Sequence, residues 1–467
     1  MGETMSEKMT GLTPAAVAAA TGGTYYGPED QKEITIASVT IDSRQVEKDS
    51  LFVAIKGQRV DGNRFVPGAY ESGALCCMST LPPQDDSVAY VQVESCEQAL
   101  KDVAEYYRSI CPAKVIGITG SVGKTSTKEM MASVLSQRFA TLKTLGNFNN
   151  EIGLPPTILR IRPSHQVAVV EMGISDFGEM SRLGRVARPD ACVITNIGQC
   201  HLENLGTRDG ILKAKTEIFD YLKPGARVYL NGEDDKLITC REDHRIGSPV
   251  YYGYEDSFPV YATDIRPQGL AGIRACIHTP KGSFEAYSHA PGRHMIDNAM
   301  AAACVALDLG MTLEEISAGI EQFAPVGGHG HVIRTDSLSI LDDCYNANPV
   351  SMKAGLDVLA DVPGRRVAIL GDMFELGEQE ALLHEQVGRY AADKRIDVLI
   401  CIGGLARQYQ KGALEADAAS GLRVYYFADR DSALAGLPEL IRPEDSILVK
   451  ASHAMGFEKI VEKLREL

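Results

Sequence analysis

The sequence predicts an α/β protein of three domains, the second and third built on mainly parallel sheets. The chain has 467 residues, and domains of about 150 residues make three the natural number. Short apolar runs alternate with helical stretches along most of the chain, a pattern typical of parallel sheets. One of these runs leads through a glycine-rich loop, residues 119–125, into a helix, which is typical of a nucleotide-binding sheet.

The first predicted domain covers residues 1–112 and is small. It combines short apolar runs with one amphipathic stretch, and Pro112 follows in a linker. The amphipathic stretch predicts a helix over 96–110, and the apolar runs predict strands over 34–41, 51–55, 74–78 and 88–93.

The second predicted domain covers residues 113–325 and has the alternation of a doubly wound sheet. Antiparallel strands are expected over 258–288. A helix over 295–309 should stop at Gly310, a residue suited to a helix C-terminus. The parallel strands are predicted at 115–119, 167–172, 191–197 and 227–230.

The third predicted domain covers residues 326–467 and repeats the alternation of strand and helix. The helices are expected at 349–359, 379–393 and 458–465. The strands are expected at 338–342, 366–370, 398–402, 424–427 and 446–449.

Composition excludes several classes of protein. The net charge of −15 argues against a general nucleic-acid binder, so no nucleic acid is expected as partner. The 11 cysteines include no Cys-x-x-Cys pair, which favours buried free thiols in a reducing cytoplasm. The early apolar stretch at 12–20 is too short to span a bilayer, and no signal peptide precedes it, so membrane insertion is not expected.

The loop at 119–125 predicts a nucleotide triphosphate site. Successive backbone N–H groups and a helix N-terminus can cradle phosphate oxygens, Lys124 can reach the outer phosphates, and the Thr125 hydroxyl can bind Mg²⁺. Ile118 stands where the strict phosphate-loop pattern has glycine, so the loop is a shorter form. A turn without ligand is the structural alternative. The predicted contacts are Gly120, Ser121, Gly123, Lys124, Thr125 and Ser126.

Two further residues follow strands of the same predicted sheet. Glu171 ends one apolar run and His201 follows the next, at the edge where ligands bind in doubly wound sheets. A carboxylate there is a natural Mg²⁺ ligand. An ion-paired or capping glutamate and a purely structural histidine are the alternatives.

Polar loops supply the remaining candidates, each with a structural alternative. Asn149 and Asn150 suit either a turn or a polar substrate. His294 and Asn298 lie four apart on one helix face and could grip a flat base, or simply pack. Lys215, on a predicted helix, is interpreted from the residues alone as a solvated charge. Two loops of the third domain, one before a helix and one after the last strand, could bind a ligand or form turns without a ligand. Their candidate residues are Asp343, Tyr345, Asn346, Asn348 and Ser452.

Taken in order, these motifs resemble the Mur ligase family of peptidoglycan synthesis over nearly the whole chain. The resemblance rests on the glycine loop, the Glu171-Met172-Gly173 and Asn196-Ile197-Gly198 segments, and the paired His294 and Asn298. The loops at 343–349 and 371–377 resemble the branch that adds D-alanyl-D-alanine to UDP-N-acetylmuramoyl-tripeptide.

The resemblance implies an ATP-dependent amide ligase that works through an acyl phosphate and acts as a monomer. The first domain would bind UDP-substrate through Ser43 and Arg44. The central P-loop-type ATPase domain would hold ATP and Mg²⁺, with His294 and Asn298 on the nucleotide and Glu171 and His201 on the metal. The Rossmann-like third domain would bind the dipeptide.

The resemblance also assigns Lys215 a role. It matches a position where some relatives carry a carbamylated lysine that supports a second Mg²⁺; whether this chain's lysine is modified stays open.

Several residues depart from the family pattern. Met295 stands where asparagine is usual, and Asn63 where histidine is common. His329 and His453 replace arginines, exchanging a permanent cation for a side chain that is mostly neutral near pH 7. Altered phosphate or carboxylate binding is expected at both positions.

Other functions stay open at this stage. A ligase of the same superfamily that adds a single amino acid, a folylpolyglutamate-type synthetase, a P-loop NTPase switch and a non-catalytic relative are the alternatives. The sequence leaves the third residue of the acceptor peptide undecided between lysine and diaminopimelate.

Overall fold

The computed structural model describes residues 7–57, 60–85, 87–416 and 421–467. The helices are α1 (Pro14–Thr21), α2 (Val66–Glu71), α3 (Cys96–Ile110), α4 (Lys124–Leu135), α5 (Leu154–Leu159), α6 (Glu179–Ala187), α7 (Leu202–Leu205), α8 (Arg208–Thr216), α9 (His294–Asp308), α10 (Leu313–Glu321), α11 (Pro349–Ala360), α12 (Glu380–Asp393), α13 (Arg407–Ala416), α14 (Arg430–Leu440) and α15 (Glu458–Arg465).

The strands form three sheets, which confirms the predicted α/β class. They are β1 (Thr24–Tyr26), β2 (Val39–Thr40), β3 (Leu51–Val53), β4 (Cys76–Ser79), β5 (Ala89–Gln92), β6 (Lys114–Thr119), β7 (Thr141–Lys143), β8 (Val167–Glu171), β9 (Ala191–Ile194), β10 (Arg227–Asn231), β11 (Val250–Gly253), β12 (Val260–Pro267), β13 (Ile273–Thr279), β14 (Gly282–Ser288), β15 (His331–Arg334), β16 (Ser339–Asp342), β17 (Arg366–Gly371), β18 (Val398–Ile402), β19 (Arg423–Phe427) and β20 (Ser446–Lys450).

The N-terminal sheet has the order β1-β5-β4-β3-β2, antiparallel between β1 and β5 and parallel elsewhere. The predicted strand over 34–41 is shorter than expected. Ile36 N donates to Leu12 O and Ala37 N to Asp49 O, both at 2.8 Å, so only Val39–Thr40 joins the ladder. The helix over 96–110 is confirmed, and the Ser95 side chain caps its first turn.

The central sheet has the order β14-β13-β12-β11-β10-β9-β6-β8-β7. The strands from β7 to β12 pair in parallel, whereas β12, β13 and β14 pair antiparallel. The antiparallel prediction over 258–288 is confirmed. Strands β7 and β11 were not predicted, since three or four residues are too few for a clear pattern. The Ala-rich α9 packs along β10 to β14 and against α4, and Gly310 beyond its end has a φ of +84°.

The C-terminal sheet has the order β15-β16-β20-β17-β18-β19, antiparallel only between β15 and β16. The last strand, β20, is inserted between β16 and β17. The loops after these three strands therefore share one edge at a topological switch point, where doubly wound sheets bind ligands.

A buried arginine joins the N-terminal and central sheets. Arg108, buried at the end of α3, donates to Ala187 O at 2.7 Å and to Asp190 Oδ2 at 2.5 Å, which ties the N-terminal sheet to the central one. The predicted domain limits at 112 and 325 fall between secondary-structure elements, and the division itself stays a proposal. None of the helices in the described part of the chain is long and apolar enough to cross a bilayer.

Candidate active site

The glycine loop joins β6 to α4, and residues after β9 fix its conformation. Gly120 has a φ of +146°, and a Cβ there would lie 2.0 Å from Thr195 Oγ1, so the position requires glycine. Asn196 Oδ1 accepts from Val122 N and Asn196 Nδ2 donates to Val122 O, both at 3.0 Å. With Gly123 in the left-handed region immediately before α4, the loop fits a phosphate group at the N-terminus of that helix.

The two polar residues that open α4 lie beside this cradle. Lys124 Nζ donates to Gly120 O at 2.9 Å, which keeps the ammonium at the loop. Thr125 Oγ1 lies 3.1 and 3.2 Å from the two carboxylate oxygens of Glu171. The predicted pairing of Thr125 and Glu171 across the two strand ends therefore exists in the structure.

Glu171 is almost fully buried, at 2% exposure, among polar partners. Asn149 Nδ2 donates to Glu171 Oε1 at 2.8 Å, and Lys128 Nζ lies 3.4 Å from Glu171 Oε2. Lys128 was not predicted, although it is four residues after Lys124 on the same face of α4. Lys128 is shared between two carboxylates, because its Nζ also lies 3.3 Å from Glu129 Oε1.

The donor set fits Mg²⁺. Among the described residues, no three histidine, cysteine, aspartate or glutamate side chains form a metal cluster of their own. Mg²⁺ typically takes one or two protein oxygens and completes its shell with substrate phosphates and water. The Thr125 hydroxyl and the Glu171 carboxylate beside a phosphate cradle match that requirement.

Lys215 corrects an expectation. The residues alone indicated a solvated charge, but the side chain is 1% exposed, because α8 turns this face toward the core. Burial is the main cause that lowers the pKa of Lys215 to about 8; Cys200 opposes the shift and nearby Lys124 adds to it. Within the described residues the ammonium makes no hydrogen bond or ion pair. A buried, partly neutral amine close to Lys124 can react with electrophiles such as carbon dioxide.

His201 lies after β9, immediately before α7, with a φ of +51°. Its Nδ1 is 2.6 Å from Glu375 Oε2, a residue in the loop after β17 of the C-terminal sheet. The contact with His201 lowers the pKa of Glu375. The central and C-terminal sheets therefore meet at this histidine.

The candidate base-binding residues lie at the start of α9. Asn298 Oδ1 accepts from Thr127 Oγ1 of α4 at 2.8 Å, and Asn298 Nδ2 lies 3.8 Å from Met295 Sδ. Burial lowers the pKa of His294; Asp343 opposes this shift and Lys450 adds to it. In the loop itself, Ser121 Oγ donates to Gly198 O at 3.4 Å, and Ser126 is partly exposed on the first turn of α4.

The loops after β16 and β20 interlock. Lys450, 2% exposed, donates to Asp343 Oδ2 at 2.5 Å and to Asn346 O at 2.9 Å. Asn348 caps α11 together with Ser351, so its side chain is engaged in the backbone. Ser452 Oγ accepts from Phe374 N at 3.0 Å, which joins the loop after β20 to the loop after β17.

Tyr345 packs between His329 and His453, the two positions at which the resemblance leads us to expect arginine. Its ring centroid lies 4.3 Å from that of His329 and 5.1 Å from that of His453. Burial lowers the pKa of His329; Asp343 and Glu171 oppose this shift. His329 thus lies in the field of both the central and the C-terminal carboxylates.

Two candidate groups serve loop structure. Asn150 Oδ1 accepts from Ile152 N and Gly153 N, which is the expected turn. Asp42 accepts from Arg44 N at 3.0 Å and pairs with the exposed guanidinium of Arg44 at 2.7 Å; this hydrogen bonding lowers the pKa of Asp42 to about 2. Ser43 opens the short helix Ser43–Gln45 beside them. Substrate binding by these residues stays a prediction.

Three family models match the chain: the Mur ligase family catalytic domain over residues 35–108, the Mur ligase middle domain over 118–306, and the Mur ligase glutamate ligase domain over 330–453. The UDP-N-acetylmuramoyl-tripeptide--D-alanyl-D-alanine ligase of Escherichia coli (strain K12) is 36% identical over 440 residues, covering 93% of this chain and 95% of that one. The chain belongs to the Mur ligase family.

Solved structures agree with this assignment of a Mur ligase. MurF from Acinetobacter baumannii superposes with a TM-score of 0.87 at 33% identity, covering 98% of this chain and 99% of that one. The MurF ligase from Thermotoga maritima in complex with ADP superposes with a TM-score of 0.79 at 27% identity, covering 92% and 97%. The predicted family and three-sheet α/β class are confirmed.

Proposed function

We infer that this Mur ligase joins D-alanyl-D-alanine to the terminal carboxylate of UDP-N-acetylmuramoyl-tripeptide at the expense of ATP. The observation that carries the proposal is the near full-length match to a ligase of that name. The arrangement of the strand-end loops supports the chemistry, because the contact between His201 and Glu375 joins the central sheet, which has the phosphate cradle, to the C-terminal sheet.

The reaction needs an activated acyl group, because a carboxylate cannot expel oxide. An oxygen of the tripeptide carboxylate attacks the γ-phosphorus of ATP, ADP leaves, and an acyl phosphate forms. The dipeptide amine then attacks the carbonyl carbon, the C–O bond to phosphate breaks, and the amine loses a proton. Positioning and charge neutralisation provide most of the acceleration in such steps.

The central sheet would bind ATP. The loop from Gly120 to Ser126 would hold the phosphates, and Lys124 would neutralise charge on the outer phosphates. Thr125 and Glu171 would hold Mg²⁺, which supplies positive charge to the phosphate oxygens when bound. Asn149 and Lys128 keep the Glu171 carboxylate in place for that purpose. His294 and Asn298 would contact the nucleoside.

Lys215 would carry a carbamate. An amine attacks carbon dioxide only in its neutral form, and burial brings the pKa of Lys215 to about 8. Carbamate formation would convert an unpaired buried cation beside Lys124 into an anion, which favours the modified state electrostatically. The product would be a further oxygen donor for metal.

The C-terminal sheet would bind the dipeptide. The loops that contain Asp343, Tyr345, Asn346, Asn348 and Ser452 lie at the switch point between β16, β20 and β17. Their internal hydrogen bonds fix the backbone, so the site is largely formed before a ligand arrives. The N-terminal sheet, with Ser43 and Arg44, would bind the UDP part of the acceptor.

The proposal is tested by product mass. The purified chain is incubated with ATP, Mg²⁺, D-alanyl-D-alanine and UDP-N-acetylmuramoyl-tripeptide carrying either lysine or diaminopimelate. A product of pentapeptide mass with at least one acceptor supports the proposal. Addition of a single amino acid instead would assign the chain to another branch of the family.

A further inference from the structure

Glu375 and His201 contact each other although both have an unusual backbone conformation. Both have a left-handed backbone, with φ of +63° and +51°, although neither is glycine. Such a conformation is strained in a residue with a side chain and persists where the surroundings impose it. Two such residues, contacting each other at 2.6 Å from different sheets, indicate a contact that the fold maintains at a cost.

The segment that carries Glu375 is fixed on both sides. Met373 N donates to His384 Nε2 at 2.9 Å and Phe374 N to Ser452 Oγ at 3.0 Å, within the C-terminal sheet. On the other side, a Cβ at Gly377 would lie 3.6 Å from Glu203 Cα, so the segment rests on α7 directly after His201. The position of the Glu375 carboxylate is therefore set by the apposition of the two sheets.

The strength of the ion pair does not explain why the fold maintains this contact between Glu375 and His201. The side chain of Glu375 is 58% exposed and that of His201 is 23% exposed. Exposed pairs of this kind contribute little to stability, which does not offset the strain of two left-handed residues. An explanation in terms of side-chain orientation fits better. The Glu375 carboxylate lies 2.6 Å from His201 Nδ1, outside hydrogen-bond geometry, so it restricts the imidazole ring and leaves the other nitrogen for a ligand.

We propose that Glu375 is a positioning residue that orients His201 for its role at the metal and phosphate of the ATP site, and that it does so only when the C-terminal sheet is docked on the central one. The loop after β17 of the C-terminal sheet, which contains Glu375, thereby completes the ATP site of the central sheet. This inference rests on the proposed function.

The test combines two readouts on three variants. Ring signals of His201 are recorded by NMR in ligand-free protein labelled with ¹⁵N at histidine, and they are assigned by their loss in His201→Gln. In Glu375→Ala these signals should shift, and kcat should fall about tenfold to a hundredfold with a smaller change in the KM for ATP. Glu375→Gln should lie between this variant and the wild type, because the amide keeps the size of the carboxylate beside Nδ1 but not its charge. Glu378→Gln, an exposed neighbour, is the matched control and should match the wild type in both readouts.

Two results would overturn the proposal: unchanged His201 ring signals in Glu375→Ala, or a kcat of that variant equal to the wild type. The failure of the proposed function is a separate result, namely a wild-type chain that forms no dipeptide-dependent product. The ring signals are measured without substrates, so the two failures are distinguishable.

Discussion

Lys450 Nζ donates to Asp343 Oδ2 at 2.5 Å, and this contact joins the end of β20 to the loop after β16. The same ammonium donates to Asn346 O at 2.9 Å, so one buried lysine organises the loop that we assign to the dipeptide. Since a buried cation without its partner is costly, the pair fixes this loop more firmly than a surface contact would.

Asp343→Asn should weaken dipeptide binding. The variant removes the counter-ion of Lys450 and loosens the loop, so the KM for D-alanyl-D-alanine should rise about tenfold, equivalent to about 1.4 kcal/mol, while the KM for ATP stays nearly constant. Steady-state kinetics measure both. Asp336→Asn, an exposed aspartate between β15 and β16, is the control. Equal effects on both KM values would contradict the assignment.

Lys124→Ala should abolish amide formation while the fold persists. The side chain is partly exposed at the phosphate loop and contributes little to the core, so the far-ultraviolet circular dichroism and the melting temperature should be near those of the wild type. Lys114→Ala, at the other end of β6, should keep full activity. Unchanged turnover in Lys124→Ala would refute the phosphate assignment.

Glu171→Gln should raise the Mg²⁺ requirement sharply. The amide is a weaker ligand for a hard cation than the carboxylate, so the Mg²⁺ titration of activity should shift to about tenfold higher concentration or beyond. Glu321→Gln, an exposed glutamate at the end of α10, controls for the charge change. A titration that coincides with the wild type would exclude Glu171 as a ligand.

Lys215→Met should inactivate the protein, because it removes the amine that we propose to be carbamylated, and it should be more stable than wild-type protein kept free of carbon dioxide, in which Lys215 is unmodified. With a pKa of about 8 in the fold against 10.5 for the free side chain, the unmodified lysine destabilises the fold by up to about 3 kcal/mol below pH 8. Between these values the unfolded chain binds more protons, so wild-type stability should rise as pH increases from about 8 to about 10.5.

Methionine has no such titration, so Lys215→Met should lack this rise and should melt at a higher temperature near pH 7. Thermal melts at both ends of the range measure the effect. Lys213→Met, two residues earlier and less buried, is the control. A Lys215→Met variant that melts lower at neutral pH than wild-type protein kept free of carbon dioxide would contradict the burial penalty.

The sequence predicted the parts of the site that follow local rules. Lys124 and Thr125 follow the loop after β6 and Glu171 ends β8, and parallel strands bring such residues to one edge. Lys215 was misread from the residues because helical spacing alone does not tell which face of α8 is buried. Glu375 and Lys128 were missed because their roles depend on which sheet or helix they meet, information that only the assembled fold contains.

The most direct test of the account is the rate of phosphate release from ATP and Mg²⁺ with UDP-N-acetylmuramoyl-tripeptide, with and without D-alanyl-D-alanine. A D-alanyl-D-alanine ligase should release phosphate continuously only when both substrates are present, in proportion to the amide formed. Sustained release at the same rate without the dipeptide would contradict it and indicate a nucleotide hydrolase.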